Sequence, residues 1–255
     1  VLVYFFKIYG ALLALATYQS VVIVITFYIV NKNKLFRLKN ISISYSKEKW
    51  LKLLAYSLMA LVALIWPLVN ILIRSTLISE ISIETAGIWE GMTKVSVLIT
   101  TIVGTAISTY FLPRFSEIKD DRDLKKELVS GLKLVLLVTL SIICVLYLFR
   151  LTVINLLFTH EFVSMNDLFL YQLAGDFFWV AKMLLTVILV ARAMSTKYIV
   201  LELIFGMMYL GFSLLFIYNG FGVNSVPLAH LIYNFVYFVT MIIIFRKLLL
   251  YGRMK

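Results

Sequence analysis

Residues 131–149 read GLKLVLLVTLSIICVLYLF, with one charge at Lys133, no proline and no alternation of apolar with polar positions. As a helix rising about 1.5 Å per residue, such a run is about 28 Å long, close to the roughly 30 Å of hydrocarbon in a bilayer. It is about twice the length of a barrel strand and lacks a period of two, so a helix is the conformation that leaves no backbone group unpaired in lipid. Comparable runs occur at about Ala11 to Val30, Trp50 to Ile73, Ala86 to Leu112, Leu168 to Ala191, Tyr198 to Tyr218 and Val226 to Phe245, and Val1 to Phe6 reads as the tail of a further helix. The expected fold is an all-α, polytopic membrane helix bundle of about seven complete transmembrane helices plus the tail of one.

Composition agrees. The 255 residues are 62% hydrophobic and 15% charged, with a mean hydropathy of +0.99, where a soluble domain is about half apolar and about a quarter charged. A water-soluble globule is excluded. Val1 lies inside an apolar stretch without an initiator Met or a charged leader with a cleavage site, which reads as a piece of a longer membrane protein. The single cysteine, Cys144, sits within the quoted run, so neither an intrachain disulfide nor a cysteine-based metal or redox site is available.

The net charge of +11 is distributed unevenly. Lys32, Lys34, Arg37, Lys39, Lys47, Lys49 and Lys52 follow the first complete span. Arg114, Lys119, Arg122, Lys125, Lys126 and Lys133 form a second cluster, Arg192 and Lys197 a third, and Arg246, Lys247, Arg253 and Lys255 a fourth. The alternate gaps hold only Lys7, Arg74 and Arg150. This bias predicts that the clusters and the C-terminus are cytoplasmic. It reads as a topology signal that also touches anionic lipid head groups, not as a nucleic-acid surface. A short surface helix is expected between Asn40 and Trp50.

Charges inside spans are expensive unless they face protein or water, and each is a functional candidate. At about 100° per residue, Glu90, Lys94, Thr101 and Ser108 share a narrow sector, with Val95, Ile99, Ile102 and Val103 opposite. A neighbouring helix or a water-filled cavity must satisfy that stripe, and Glu90 and Lys94 have the spacing of an ion pair. Gln172, Asp176 and Trp179 share a face, while Lys182 lies about a third of a turn away, poorly placed to pair with Asp176. Arg74, one turn after Asn70, sits at the external mouth of its span, where it can snorkel. Glu202 and His230, near opposite membrane surfaces, read as interfacial or interhelical hydrogen-bonding groups. Pro67 frees a carbonyl in mid-span and permits a bend. The sequence has no phosphate-binding G-x-x-x-x-G-K-[ST] loop, no metal-spaced His/Cys/carboxylate cluster, no G-x-S-x-G elbow and no external loop long enough for a catalytic domain. Neither an enzyme nor a cofactor or metal requirement is indicated.

The run Ala86-Gly87-Ile88-Trp89-Glu90-Gly91-Met92, then Lys94-Val95-Ser96, then Ser108-Thr109-Tyr110-Phe111-Leu112-Pro113-Arg114, resembles the G-[IY]-W-x-G…[RK]-[IV]-S…S-x-Y-x-L-P stretch of bacterial Wzx-type flippases. These are the O-antigen and lipid III (enterobacterial common antigen) translocases of the multidrug/oligosaccharidyl-lipid/polysaccharide exporter superfamily. The resemblance continues through Met165-Asn166-Asp167-Leu168-Phe169, Gln172-Leu173-Ala174-Gly175-Asp176, and the Pro67 to Arg74 spacing. It implies a two-lobe, twelve-helix transporter of the bacterial inner membrane, of which residues 1–49 would supply the end of helix five, helix six and a cytoplasmic linker. Residues 50–255 would form the C-terminal six-helix lobe. The implied activity, in lipopolysaccharide and related polysaccharide biosynthesis, is alternating-access flipping of an undecaprenyl-diphosphate-linked oligosaccharide, driven by an H⁺ or Na⁺ gradient. Membrane lipid and other glycan-assembly membrane proteins are the implied partners, and Arg74, Lys94 and Asp176 the implied functional positions. Two departures stand out: Val97 replaces a frequent acidic residue, with Glu90 two turns earlier on the same face, and Trp179 replaces a base that reappears one turn later as Lys182.

From these residues the expected substrate-binding set is Arg74, Lys94 and Lys182 for the diphosphate and sugar head group, with Trp89 and Trp179, or Tyr110, stacking on sugar faces. Glu90 and Asp176 are the expected ion-coupling carboxylates. Rival readings are a drug or metabolite exporter of the same superfamily, which should have a net acidic cavity, a membrane-integral glycan polymerase or ligase, and a non-transporting scaffold.

Overall fold

The computed structural model describes residues 2–32 and 46–253. Lys34, Arg37, Lys39, Lys255 and the Asn40 to Tyr45 part of the expected surface helix lie outside them. The chain divides into two compact units, Val1–Trp50 and Leu51–Lys255. Among the described residues every long element is helical, and seven helical stretches are long and apolar enough to cross a membrane. The protein is an all-α, multi-pass membrane protein.

In the first unit, α1 runs without a break from Leu2 to Lys32. The expected division into a tail at Val1 to Phe6 and a separate span from Ala11 to Val30 is thus corrected to one helix. Between the two expected pieces stand only Lys7, Ile8, Tyr9 and Gly10, and one glycine costs only about 1 kcal/mol of helix propensity, too little to stop a helix without proline.

α2 (Lys47–Ala63), all but its first turn in the second unit, and α3 (Ile65–Glu80) form one interrupted span. Pro67 has no N–H to offer the Ala63 carbonyl, and its ring crowds that carbonyl. The chain tightens to a Leu64 N–H to Leu61 carbonyl bond of 3.1 Å at that place. α4 (Ile83–Ala106) starts at an N-cap, where the Ser82 hydroxyl accepts from the Thr85 N–H at 3.1 Å. It continues through a wider π turn, Ile107–Phe111, into α5 (Leu112–Glu117). Pro113 again removes the donor that the Thr109 carbonyl would use, and the wide turn absorbs the mismatch.

α6 (Asp121–Leu148), capped by Asp120, extends the quoted run by more than two turns at its N-terminal end. The short α7 (Arg150–Leu157) and a 3₁₀ segment, His160–Leu168, lead to α8 (Phe169–Ala191). α9 (Ser195–Tyr218), α10 (Ser225–Ile244) and the short α11 (Arg246–Tyr251) complete the unit. α8 is central: it packs on α10, α6, α4 and α5, while α9 lies against α10 and α3. Its sequence explains this, since Gly175, Asp176, Val180, Lys182, Leu185, Ile188 and Leu189 are spread around most of the helix and all are buried.

Candidate functional site

Between these helices lies a cavity of about 610 Å³, lined by residues of α3, α4, α8, α9 and α10. Two polar clusters make its wall. In the first, Asp176 of α8 is buried and accepts from the Ser96 hydroxyl of α4 at 2.5 Å, and its other oxygen lies 3.0 Å from His230 Nε2 of α10. Gln172 Nε2, one turn before Asp176, donates to Ser96 Oγ at 2.9 Å, and Asn234 Nδ2 lies 3.3 Å from the His230 ring. Gly175 makes this possible: a Cβ there would collide with the His230 ring and stand 3.1 Å from the Leu231 amide nitrogen. The glycine beside Asp176 therefore lets α10 approach closely enough for His230 to reach the carboxylate.

The second cluster surrounds Lys182, also buried. Its Nζ lies over three rings, 5.1 Å from the centroid of Trp66, 4.8 Å from Tyr233 and 4.3 Å from Tyr237. The ring faces carry negative charge and stabilise an ammonium that water cannot fully reach. Glu202 of α9 holds two of these rings, accepting from Trp66 Nε1 at 2.5 Å and from the Tyr237 hydroxyl at 3.0 Å. Glu202 is thus an interhelical hydrogen-bonding group, as its place in the sequence suggests, and it joins α3, α9 and α10. His230 is one as well.

Of the residues picked from the sequence, Trp89, Trp179, Asp176 and Lys182 line the cavity together. Asp176 and Lys182 form no ion pair with each other among the described contacts, as their helical offset predicts. Arg74, Glu90 and Lys94 do not line it. They form an exposed cluster in which Glu90 receives Arg74 Nη1 at 3.0 Å from α3 and Lys94 Nζ at 3.7 Å from its own helix.

The expected wet stripe on α4 is therefore corrected. Trp89, Thr93, Ser96, Thr100 and, beyond them, Ser108 face the cavity. Glu90, Lys94 and Thr101 lie one residue further round, about 100° away. Of the four residues opposite the expected stripe, Ile102 is exposed, while Val95, Ile99 and Val103 are buried. The physical reason is cost. Thr93 and Thr100 spend their hydroxyls on the Trp89 and Ser96 carbonyls, at 3.0 and 3.1 Å, and so enter a wall cheaply, whereas the charges stay where water or head groups reach them. Tyr110 is likewise exposed and donates to Glu127 at 3.2 Å, away from the cavity.

The sequence alone does not mark Trp66, Tyr233, Tyr237 and His230 as substrate-binding or coupling residues. A signal existed: His230, Tyr233, Asn234 and Tyr237 recur at spacings of three and four along one face of an otherwise apolar helix. Gln172 Oε1 and Asn234 Oδ1 are buried with no partner among the described residues. Such acceptors suit the hydroxyls of a bound polar molecule. The described residues contain no group of His, Cys, Asp and Glu able to hold a metal. What the cavity offers is an aromatic wall, one lysine, and carboxylates already held by hydrogen bonds.

A family model described as polysaccharide biosynthesis protein matches residues 1–167. The lipid III flippases of Escherichia coli strain K12 and Shigella flexneri are each 31% identical to this chain over 199 residues, 76% of this chain and 47% of theirs. The chain spans about half the length of the curated relatives it matches. No solved structure matches it.

Proposed function

The chain belongs to the polysaccharide biosynthesis protein family, and from that premise we propose that it forms the C-terminal part of a flippase for a lipid-linked glycan, residues 50–255 supplying one lobe. The proposed cargo is an undecaprenyl-diphosphate-linked oligosaccharide destined for O-antigen or enterobacterial common antigen, moved from the cytoplasmic to the periplasmic leaflet of the inner membrane. The C-terminus is cytoplasmic by the distribution of basic residues. The observation that carries the reading is the cavity that Lys182 and the tryptophans Trp66, Trp89 and Trp179 line. Sugar rings stack on aromatic faces, and a lysine in a low-dielectric wall attracts a diphosphate more strongly than one in water.

Within this reading, Asp176 is the better placed of the two candidate coupling carboxylates. It is buried, borders the cavity and has His230 as partner, so H⁺ or Na⁺ binding there would alter contacts between α8, α4 and α10. Glu90 is half exposed and neutralised by two cations. Arg74 and Lys94 then act at the rim, attracting the anionic head group without lining its chamber.

One observation favours a second reading, export of a compact organic cation: the cavity wall holds two carboxylates, Asp176 and Glu202, against the single Lys182. One experiment separates the two. Lys182→Ala, placed in the full-length protein and expressed in a strain lacking its own flippase, should abolish surface glycan at unchanged protein level, with Lys182→Arg restoring part of it. Normal glycan display by Lys182→Ala would overturn the glycan reading.

A further inference from the structure

Outside the cavity, the Met165-Asn166-Asp167 motif and the sparse charge, Arg74 apart, at the basic-poor end of the molecule have no part in the mechanism above. They meet at Arg150. An apolar groove of about 320 Å³ runs between α6 and α8. It is lined by Leu140, Ile143, Cys144 and Tyr147 on one side and by Leu173, Ala174 and Phe178 among others on the opposite side. Arg150 stands at one end, its guanidinium carbon 4.4 Å from the centroid of the Tyr147 ring. Asn166 Oδ1 accepts from Arg150 Nε at 2.8 Å, and the Tyr147 carbonyl accepts from Nη1 at 2.8 Å. Asn166 is itself oriented by a 3.4 Å bond from Nδ2 to Asp167 Oδ1.

A guanidinium has five N–H donors, and these two bonds leave three of them. Among the described contacts no carboxylate forms an ion pair with Arg150. The group is thus fixed in direction but not neutralised, directly beside an apolar channel. From Leu140 to Tyr147 the groove runs about 10 Å along α6, less than half of the roughly 30 Å hydrocarbon thickness, which fits a chain confined to one leaflet.

We propose that this groove is a binding site for an anionic phospholipid of the leaflet at the basic-poor end, one acyl chain between α6 and α8 and the phosphate on Arg150. Asn166 is the positioning residue, aiming the guanidinium so that its free donors face the phosphate in the paired geometry that arginine favours. The inference does not depend on the proposed cargo.

The full-length protein, stripped of lipid in a neutral detergent, is titrated with phosphatidylglycerol and phosphatidylcholine by native mass spectrometry. It is also photolabelled with phosphatidylglycerol carrying a diazirine in one acyl chain. Phosphatidylglycerol should bind about tenfold more tightly, and the label should fall on peptides containing Leu140 to Tyr147 or Leu173 to Phe178. Arg150→Ala should remove the preference, Asn166→Ala should weaken it, and Ala174→Phe, which fills the groove from the side of α8, should displace the label. If Arg150→Ala does not fold, Arg150→Lys, a point charge without the fork, should still lose most of the preference. Wild-type preference in both arginine variants, or labelling elsewhere, would overturn the site. So would displacement of phosphatidylglycerol by lower concentrations of undecaprenyl phosphate, which would make the groove a path for cargo tails.

Discussion

The exposed cluster of Arg74, Glu90 and Lys94 and the buried cluster of Ser96, Asp176 and His230 each hold a carboxylate between two partners, yet they are built in opposite ways. Around Glu90 the partners are long, flexible and charged, and all three side chains remain open to their surroundings. Around Asp176 the partners are short and hydrogen-bonded, and the carboxylate is 1% exposed. The first arrangement tolerates motion and is weak. The second holds only if every member keeps its place, because a buried polar group without its partner loses its hydration and gains nothing in exchange.

The largest effect that would test this contrast is Asp176→Ala. It leaves the Ser96 hydroxyl and the His230 ring without their common acceptor, and should lower stability by about 3 kcal/mol. Thermal unfolding in detergent measures it, and Glu90→Ala in the same assay should change stability by less than about 1 kcal/mol. Equal losses would erase the distinction between the two clusters. Gly175→Ala sharpens the same comparison without removing any polar atom. The added methyl would push His230 and the α10 backbone away from α8, at a cost of about 1–3 kcal/mol, and Gly87→Ala, where a Cβ meets no atom within 4 Å, serves as its control.

Much of the fold was legible because lipid imposes it. Seven apolar runs of sufficient length become seven candidate spans, and Pro67 and Pro113 mark where the helices break or widen. The site was half legible. Helical periodicity placed Gln172, Asp176 and Trp179 together and kept Asp176 apart from Lys182, since those relations lie within one helix. It could not find the cage of Lys182, whose members Trp66, Tyr233 and Tyr237 come from helices distant in sequence. It also rotates the wet face of α4, because the charges there do not mark the cavity wall. In this molecule hydroxyls and indoles form that wall, while charged groups with long stems reach solvent elsewhere.

Trp66→Phe probes the middle of the range. The phenyl ring still offers a face to Lys182, but Glu202 loses the indole donor that ties α3 to α9. In membrane proteins a single interhelical hydrogen bond contributes about 0.6 kcal/mol on average, and a charged acceptor raises that, so a loss of about 1 kcal/mol is expected. A loss as large as that of Asp176→Ala would mean that the cage, rather than the aspartate cluster, organises the cavity.

The smallest effect should come from Lys94→Ala. Its 3.7 Å contact with Glu90 is an exposed i, i+4 pair, and Arg74 remains bound to the same carboxylate at 3.0 Å. A pair of this kind contributes about 0.3–0.5 kcal/mol and is screened by salt. Stability of Lys94→Ala should therefore differ little from the parent at low ionic strength and merge with it near 1 M NaCl. The difference for Asp176→Ala, protected from ions by burial, should survive the same salt. A salt-resistant loss in Lys94→Ala would show that the exposed cluster is closed off in the assembled protein, and that the two carboxylates are alike in kind.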